Sequence, residues 1–160
     1  MKTKTLSSRR RVITLAILLP ALGATLPAEA AQHATGFESD LGGWTATRDT
    51  SSPNASRFDW DRRAGNTPSW YTGPERAHEG EFYLYLETSY PNTSDKIAYV
   101  ESRDFEEAVS WVTFHYHMYG DQMGTLAVEA FDGSAWKQVW TISGQRHANH
   151  SSAWTRKQVN

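Results

Sequence analysis

The chain has no cysteine among its 160 residues. That absence removes disulfide staples, thiolate-held zinc, iron–sulfur clusters, a cysteine nucleophile and a lipidated N-terminal cysteine. Basic charge is scarce once the N-terminus is set aside. The whole chain carries 16 Lys+Arg against 18 Asp+Glu. Five of those cations (Lys2, Lys4, Arg9, Arg10, Arg11) and one anion, Glu29, fall within residues 1–30, which leaves 11 cations against 17 anions in the rest. An acidic body lacks the positive face that neutralises phosphates, so nucleic acid is not a predicted partner. Beyond residue 30 no apolar run approaches the ~20 residues of a spanning helix, so no membrane span is predicted there. Catalytic signatures are missing as well. No Gly-x-Ser-x-Gly elbow and no Gly-x-x-x-x-Gly-Lys loop occurs, and His78-Glu79-Gly80 lacks the second histidine of the zinc-peptidase pattern. The chain reads as a non-enzyme.

What is present begins with an export signal. Lys2 to Arg11 form a cationic head, Val12 to Leu22 an apolar segment broken by Pro20, and Ala28-Glu29-Ala30 a small-x-small cleavage site. Residues 1–30 are therefore expected to be a helical signal peptide removed after Ala30, and the mature protein to be secreted. Ser8-Arg9-Arg10-Arg11-Val12-Ile13 also fits a twin-arginine signal, so the export route stays open. Residues 31–35 read as a short linker and 36–160 as one domain. Seven Trp, seven Tyr and six Phe give that domain ample ring area to bury, which argues against disorder.

From Gly36 onward the apolar pattern has period two. Phe82, Leu84 and Leu86 alternate with Tyr83 and Tyr85. Val112, Phe114, Tyr116 and Met118 alternate with Trp111, Thr113, His115 and His117, and Leu126, Val128 and Ala130 repeat the pattern. Gly120-Asp121, Asp132-Gly133-Ser134 and Ser143-Gly144 punctuate these runs, and Asp132-Gly133 is a hairpin signal. Trp44 to Gly80 is rich in Pro, Gly, Ser, Asn and Arg, which predicts long loops with short strands. Ten or so short strands and no helix after the leader predict an all-β fold, an antiparallel β-sandwich.

Three clusters carry chemistry on residue type alone. His115 and His117 are an H-x-H on a strand, so both rings leave one face and can chelate zinc or iron if a carboxylate joins them. A packed, hydrogen-bonded histidine is the plainer reading. Asp59 and Asp61 flank Trp60, but paired glycosidase carboxylates come from separate elements, so a structural role bound to backbone donors or Arg62 is expected. Trp70, Tyr71 and Tyr90 lie in loops, where flat rings either stack on sugars or cap the ends of the core.

Several motifs together resemble the MAM domain, the extracellular jelly-roll module of meprin, A5 antigen and receptor tyrosine phosphatase mu. They are Phe37-Glu38 with Leu41 and Trp44, Phe58-Asp59-Trp60 with Arg62, Thr67-Pro68-Ser69, Thr72-Gly73-Pro74, Tyr83 to Glu87, Tyr116-His117-Met118-Tyr119-Gly120, Gly124-Thr125-Leu126, and Trp140 with Gly144. Animal members carry disulfides, whereas Gly42 and Trp111 stand where two of those cysteines would be. The family also continues past the position of Trp154, so the resemblance implies a sandwich whose last strands are missing here. It makes His117 a scaffold residue. It further implies a calcium ion (Ca2+) near the first strand, with Glu38 and Asp40 as ligands beside the Gly42-Gly43 turn and loop oxygens completing the shell. The implied function is non-catalytic extracellular protein contact, adhesion or self-association, within a larger secreted protein such as a peptidase or adhesin. A carbohydrate-binding jelly roll using Trp70, Tyr71 and Tyr90 is the alternative. A small secreted metal-dependent hydrolase built on His115 and His117 is a third.

Overall fold

A computed structural model describes residues 31–160 apart from Ser94; the expected signal peptide at 1–30 lies outside the described residues. Among the described residues eight strands form: β1 (Thr45–Thr47), β2 (Asp61–Ala64), β3 (Phe82–Tyr85), β4 (Tyr99–Glu101), β5 (Val112–Tyr116), β6 (Thr125–Phe131), β7 (Trp136–Ser143) and β8 (Thr155–Val159). That is fewer than the ten or so read from the pattern. The difference lies between Trp44 and Gly80, where only β1 and β2 form and side-chain hydrogen bonds shape the remainder. The structure is all-β and antiparallel, as the alternation predicts.

The strands pair as β1–β4, β2–β3, β5–β8 and β6–β7, every pair antiparallel. Each inner pair is enclosed in sequence by an outer one: β2–β3 within β1–β4, and β6–β7 within β5–β8. An isolated two-stranded pair is marginal in water, so stability must come from packing between pairs.

Period two decides which side of each strand packs. On β5, Phe114 and Tyr116 meet Trp140 of β7 with ring centroids 5.4 and 5.8 Å apart. Lys157 of β8, opposite Phe114, places its ammonium 5.6 Å from the same indole. The other side of β5 carries His115 and, just past its end, His117. On β3 the buried ring is Tyr83, whose hydroxyl donates to Gly65 O at 2.8 Å and whose face meets Trp154 edge-on at 5.6 Å. Burial raises the Tyr83 pKa to about 12, partly opposed by Arg63. Phe82 instead lies 4.0 Å beneath the Arg62 guanidinium. Among the described residues the buried hydrophobic side chains are Ala77, Tyr83, Met118 and Val159.

The hairpin signal at Asp132-Gly133 is realised between β6 and β7. Asp132 Oδ1 accepts from the backbone N–H of Ser134 and Ala135 at 3.0 and 2.9 Å, and Lys137 Nζ sits 2.5 Å from the other carboxylate oxygen. The adjacent Lys137 ammonium first, and hydrogen bonds from Ala135 and Ser134 second, hold the Asp132 pKa well below the usual range.

Candidate recognition surfaces

Three loops converge at one end of the domain. The first, Thr67 to Gly73, is closed on itself: Thr67 Oγ1 donates to Thr72 O at 2.7 Å, and Thr72 Oγ1 donates to Ser69 O at 2.8 Å. The second follows β3 through Glu87 to Pro91. The third is Tyr119 to Met123, tied to the first where the Gly73 N–H donates to Tyr119 O at 2.7 Å.

Glu87 joins the first two loops. Its carboxylate accepts from Ser69 Oγ at 2.6 Å, Ser89 Oγ at 2.6 Å, the Ser89 N–H at 3.0 Å and the Tyr85 hydroxyl. Desolvation pushes this carboxyl up, but the hydroxyl donors outweigh it and hold the pKa at about 2. The same contact, with burial as the larger cause, raises Tyr85 far above the phenol range. Ser69 and Ser89 are thereby brought to 3.5 Å, and the residues after them, Trp70 and Tyr90, leave from adjacent points. Trp70, Tyr71 and Tyr90 are 87, 81 and 86% exposed. They do not cap the core. Tyr71 sits at φ +57°, a left-handed conformation that costs a non-glycine residue roughly 1–2 kcal/mol. Beside them lies a cleft of about 180 Å³ with Ser69, Thr72, Thr88, Ser89, Asp121 and Gln122 in its wall.

A second aromatic surface escaped the sequence reading. Phe131 and Trp136 are direct partners across the β6–β7 hairpin, rings 5.6 Å apart, and each is more than half exposed. Pair register puts them on the face with Glu129 and Gln138, opposite the half-buried Leu126, Val128, Trp140 and Ile142. A bulge between Val128 and Glu129 accommodates Val139, which is 45% exposed. The signal was present: Phe131 is in phase with Ala127 and Glu129, out of phase with the packed residues.

The two histidines of the H-x-H take different partners. His115 stacks on His78 with centroids 3.7 Å apart, and His117 on His147 at 4.2 Å. His147 is committed at both nitrogens: Nδ1 accepts from the Met118 N–H at 2.8 Å, which leaves the proton on Nε2, 3.1 Å from Thr155 Oγ1. Both His117 nitrogens are buried without a hydrogen-bond partner. Burial first, and the neighbouring His147 second, depress the His117 pKa to about 4; the carbonyls of Ser152 and Asn149 pull the other way. Burial also lowers His115, helped by His78 and Arg156. Among the described residues no group of three or more His, Asp or Glu is placed to hold a metal ion.

Glu38 has a structural task. Its carboxylate accepts from the N–H groups of Glu81 and Phe82 at 3.1 to 3.2 Å, which fixes the entry to β3. A Cβ on Gly80 would come within 2.3 Å of Glu38 Oε1, so glycine there makes room for the carboxylate. Asp40 Oδ1 accepts from the Gly42 N–H at 2.6 Å. Asp59 pairs with Arg48 at 2.8 Å rather than with Arg62, and Asp61 Oδ1 accepts from the Arg62 N–H. Arg62 instead donates to Phe37 O and Glu38 O, both at 2.6 Å. Asp59 and Asp61 line an open groove of about 550 Å³ with four arginines, Arg48, Arg57, Arg62 and Arg63.

Comparison with known proteins fits this picture. The family model for the MAM domain, meprin/A5/mu, matches residues 35–160. The chain is 34% identical over 107 residues to MAM domain-containing protein 2 of Homo sapiens, covering 63% of the chain and 15% of that protein. It is 32% identical over 98 residues to neuropilin-1a of Danio rerio, covering 57% and 11%. Thyroid hormone-induced protein B of Xenopus laevis is 32% identical over 107 residues, covering 62% and 15%. The chain thus spans a small part of each relative, and no solved structure matches it. None of these relatives is named as an enzyme, and among the described residues no helix is long and apolar enough to cross a membrane. The motif series, the nested antiparallel pairs and the family match over 35–160 together place this chain in the MAM domain family.

Proposed function

We propose that the chain is a secreted, non-catalytic recognition module that makes protein contact outside the cell, in the first instance with a second copy of itself. The observation that carries this reading is the Phe131–Trp136 pair. Its rings stand on the outward face of a hairpin whose turn is fixed by Asp132 and Lys137. Large, preorganised rings lose little conformational entropy on contact, and tryptophan is over-represented among residues that dominate binding energy. Membership of the MAM family supports extracellular adhesion as the setting, and the sequence of residues 1–30 supports export.

Sedimentation equilibrium and aggregation of coated beads test the proposal. The native chain is expected to associate in a concentration-dependent manner. Trp136→Ser with Phe131→Ser should weaken association at least about tenfold, since a buried ring contributes on the order of 1.5–3 kcal/mol. A chain that stays monomeric at every concentration, or associates equally well with both rings removed, would overturn it.

A further inference from the structure

The loop end offers a second site with a different chemistry from the hairpin tip. Exposed rings alone would suit any apolar partner. Here Trp70 lines a cleft whose wall carries the hydroxyls of Ser69, Thr72, Thr88 and Ser89 and the side-chain amide of Gln122, and Tyr71 and Tyr90 are the chain neighbours of these wall residues. Asp121 is the one ionisable side chain in that wall. Glu87 lies behind the loops with its carboxylate already taken by Ser69, Ser89 and Tyr85, so it offers a ligand no charge. A site of rings, hydroxyls, one amide and a single carboxylate has no complement for a polyanion. It matches a neutral molecule with a flat C–H face and a rim of hydroxyl groups. That description is a sugar ring.

We infer that the end formed by Trp70, Tyr71, Tyr90 and the adjoining polar cleft binds a neutral glycan chain, with sugar faces over the rings and hydroxyls meeting Ser69, Ser89, Asp121 and Gln122. The cleft, about 180 Å³, is smaller than the ~300–1,000 Å³ that encloses a small molecule. The glycan therefore lies across the site, one residue entering the cleft and its neighbours on the exposed rings. Preorganisation is built in. Ser69 and Ser89 are bridged by Glu87, the Gly73 N–H ties the Trp70 loop to Tyr119, and Tyr71 is held in a left-handed backbone conformation. This site does not overlap the Phe131–Trp136 pair, so either assignment can fail without the other.

Affinity electrophoresis reads it directly. The chain is run through gels containing xylan, hydroxyethyl cellulose, galactomannan or laminarin, with heparin and albumin gels as comparisons. Retardation by at least one neutral polymer is expected, with quenching or a shift of tryptophan emission on titration of its oligosaccharides. Trp70→Ala should weaken binding about tenfold, Tyr90→Ala less, and Trp70→Phe should keep most of it. The Trp70 ring is 87% exposed, so its removal leaves the fold intact, which an unchanged melting temperature verifies. Phe131→Ser should leave the retardation as it was. The inference is overturned if no neutral polymer retards the chain. Retention by heparin or albumin alone, or retention that survives Trp70→Ala combined with Tyr90→Ala, overturns it equally.

Discussion

The two aromatic surfaces differ in exposure, above 80% for the loop rings against just over half for the hairpin pair, and they are held in place by different means. Phe131 and Trp136 ride on a strand pair, where the backbone ladder sets their positions and four residues of turn complete the job. Trp70, Tyr71 and Tyr90 ride on loops without ladder hydrogen bonds, and one carboxylate, Glu87, replaces the ladder. A strand tolerates the loss of any one side chain, because its geometry belongs to the main chain. A loop organised around a side chain does not. The hairpin tip should therefore be robust to substitution, and the loop end fragile at a single point.

The largest effect expected from that contrast is at Glu87. Glu87→Ala removes the acceptor of three hydroxyls and one amide, and hydrogen bonds to an ionised group are worth roughly 1.5–3 kcal/mol each before water replaces them. With partial replacement by solvent, a net loss of about 2 kcal/mol in denaturant unfolding is expected. Proteolytic cutting near Trp70 and Tyr90 should accompany it. Phe131→Ser and Trp136→Ser should each change stability by less than about 0.5 kcal/mol, as surface substitutions do. Equal losses at both ends would erase the distinction.

Acid should act next, and not first at Glu87. A carboxylate with a folded pKa of about 2 contributes stability at pH above its unfolded value of 4.5 and loses it only as the pH falls toward 2. His117 titrates in a higher window. Its folded pKa of about 4 lies below the unfolded 6.5, so the unfolded chain takes up the proton first. Stability should then decline from pH 6.5 down to about 4. Allowing for partial solvent screening, about 1–2 kcal/mol is expected, and His117→Phe should flatten that part of the melting curve. A native chain whose melting temperature is constant between pH 6.5 and 4.5 would remove the buried imidazole from the account.

How much of this was legible beforehand follows from the range of each interaction. Alternation marked the runs at 82–86, 112–118 and 126–130, and Asp132-Gly133 marked the hairpin, because these signals lie within a few neighbouring residues. The exposed pair could also have been read, since Phe131 is out of phase with Leu126 and Val128. Glu87 could not. Its donors Tyr85 and Ser89 are local, but Ser69 is 18 residues away and nothing in Leu86-Glu87-Thr88 announces a hub. His115 and His117 were legible as sharing a face but not as entering two separate stacks, because His78 and His147 arrive from distant loops. Asp59 drew Arg48 rather than the nearer Arg62 for the same reason: Arg62 is already spent on the carbonyls of Phe37 and Glu38.

The smallest effect concerns the other bridging glutamate. Glu38, like Glu87, joins distant segments, but through backbone N–H groups at the start of β3. Calcium asks for six to eight oxygens with free lone pairs. Glu38 Oε1 accepts from the Glu81 and Phe82 N–H groups, Oε2 shares the Glu81 N–H, and Asp40 is turned to the Gly42 N–H. An ion here would have to compete with amides that the fold itself supplies, so calcium binding is expected to add little. Melting in EDTA and in millimolar calcium should coincide to within about 1 °C, while Glu38→Gln should lower the midpoint in both, since an amide oxygen is a weaker acceptor than a carboxylate. A calcium-dependent rise that disappears in Glu38→Gln would instead make Glu38 a ligand first and a tether second. The two bridging glutamates would then differ in what they hold as well as in what holds them.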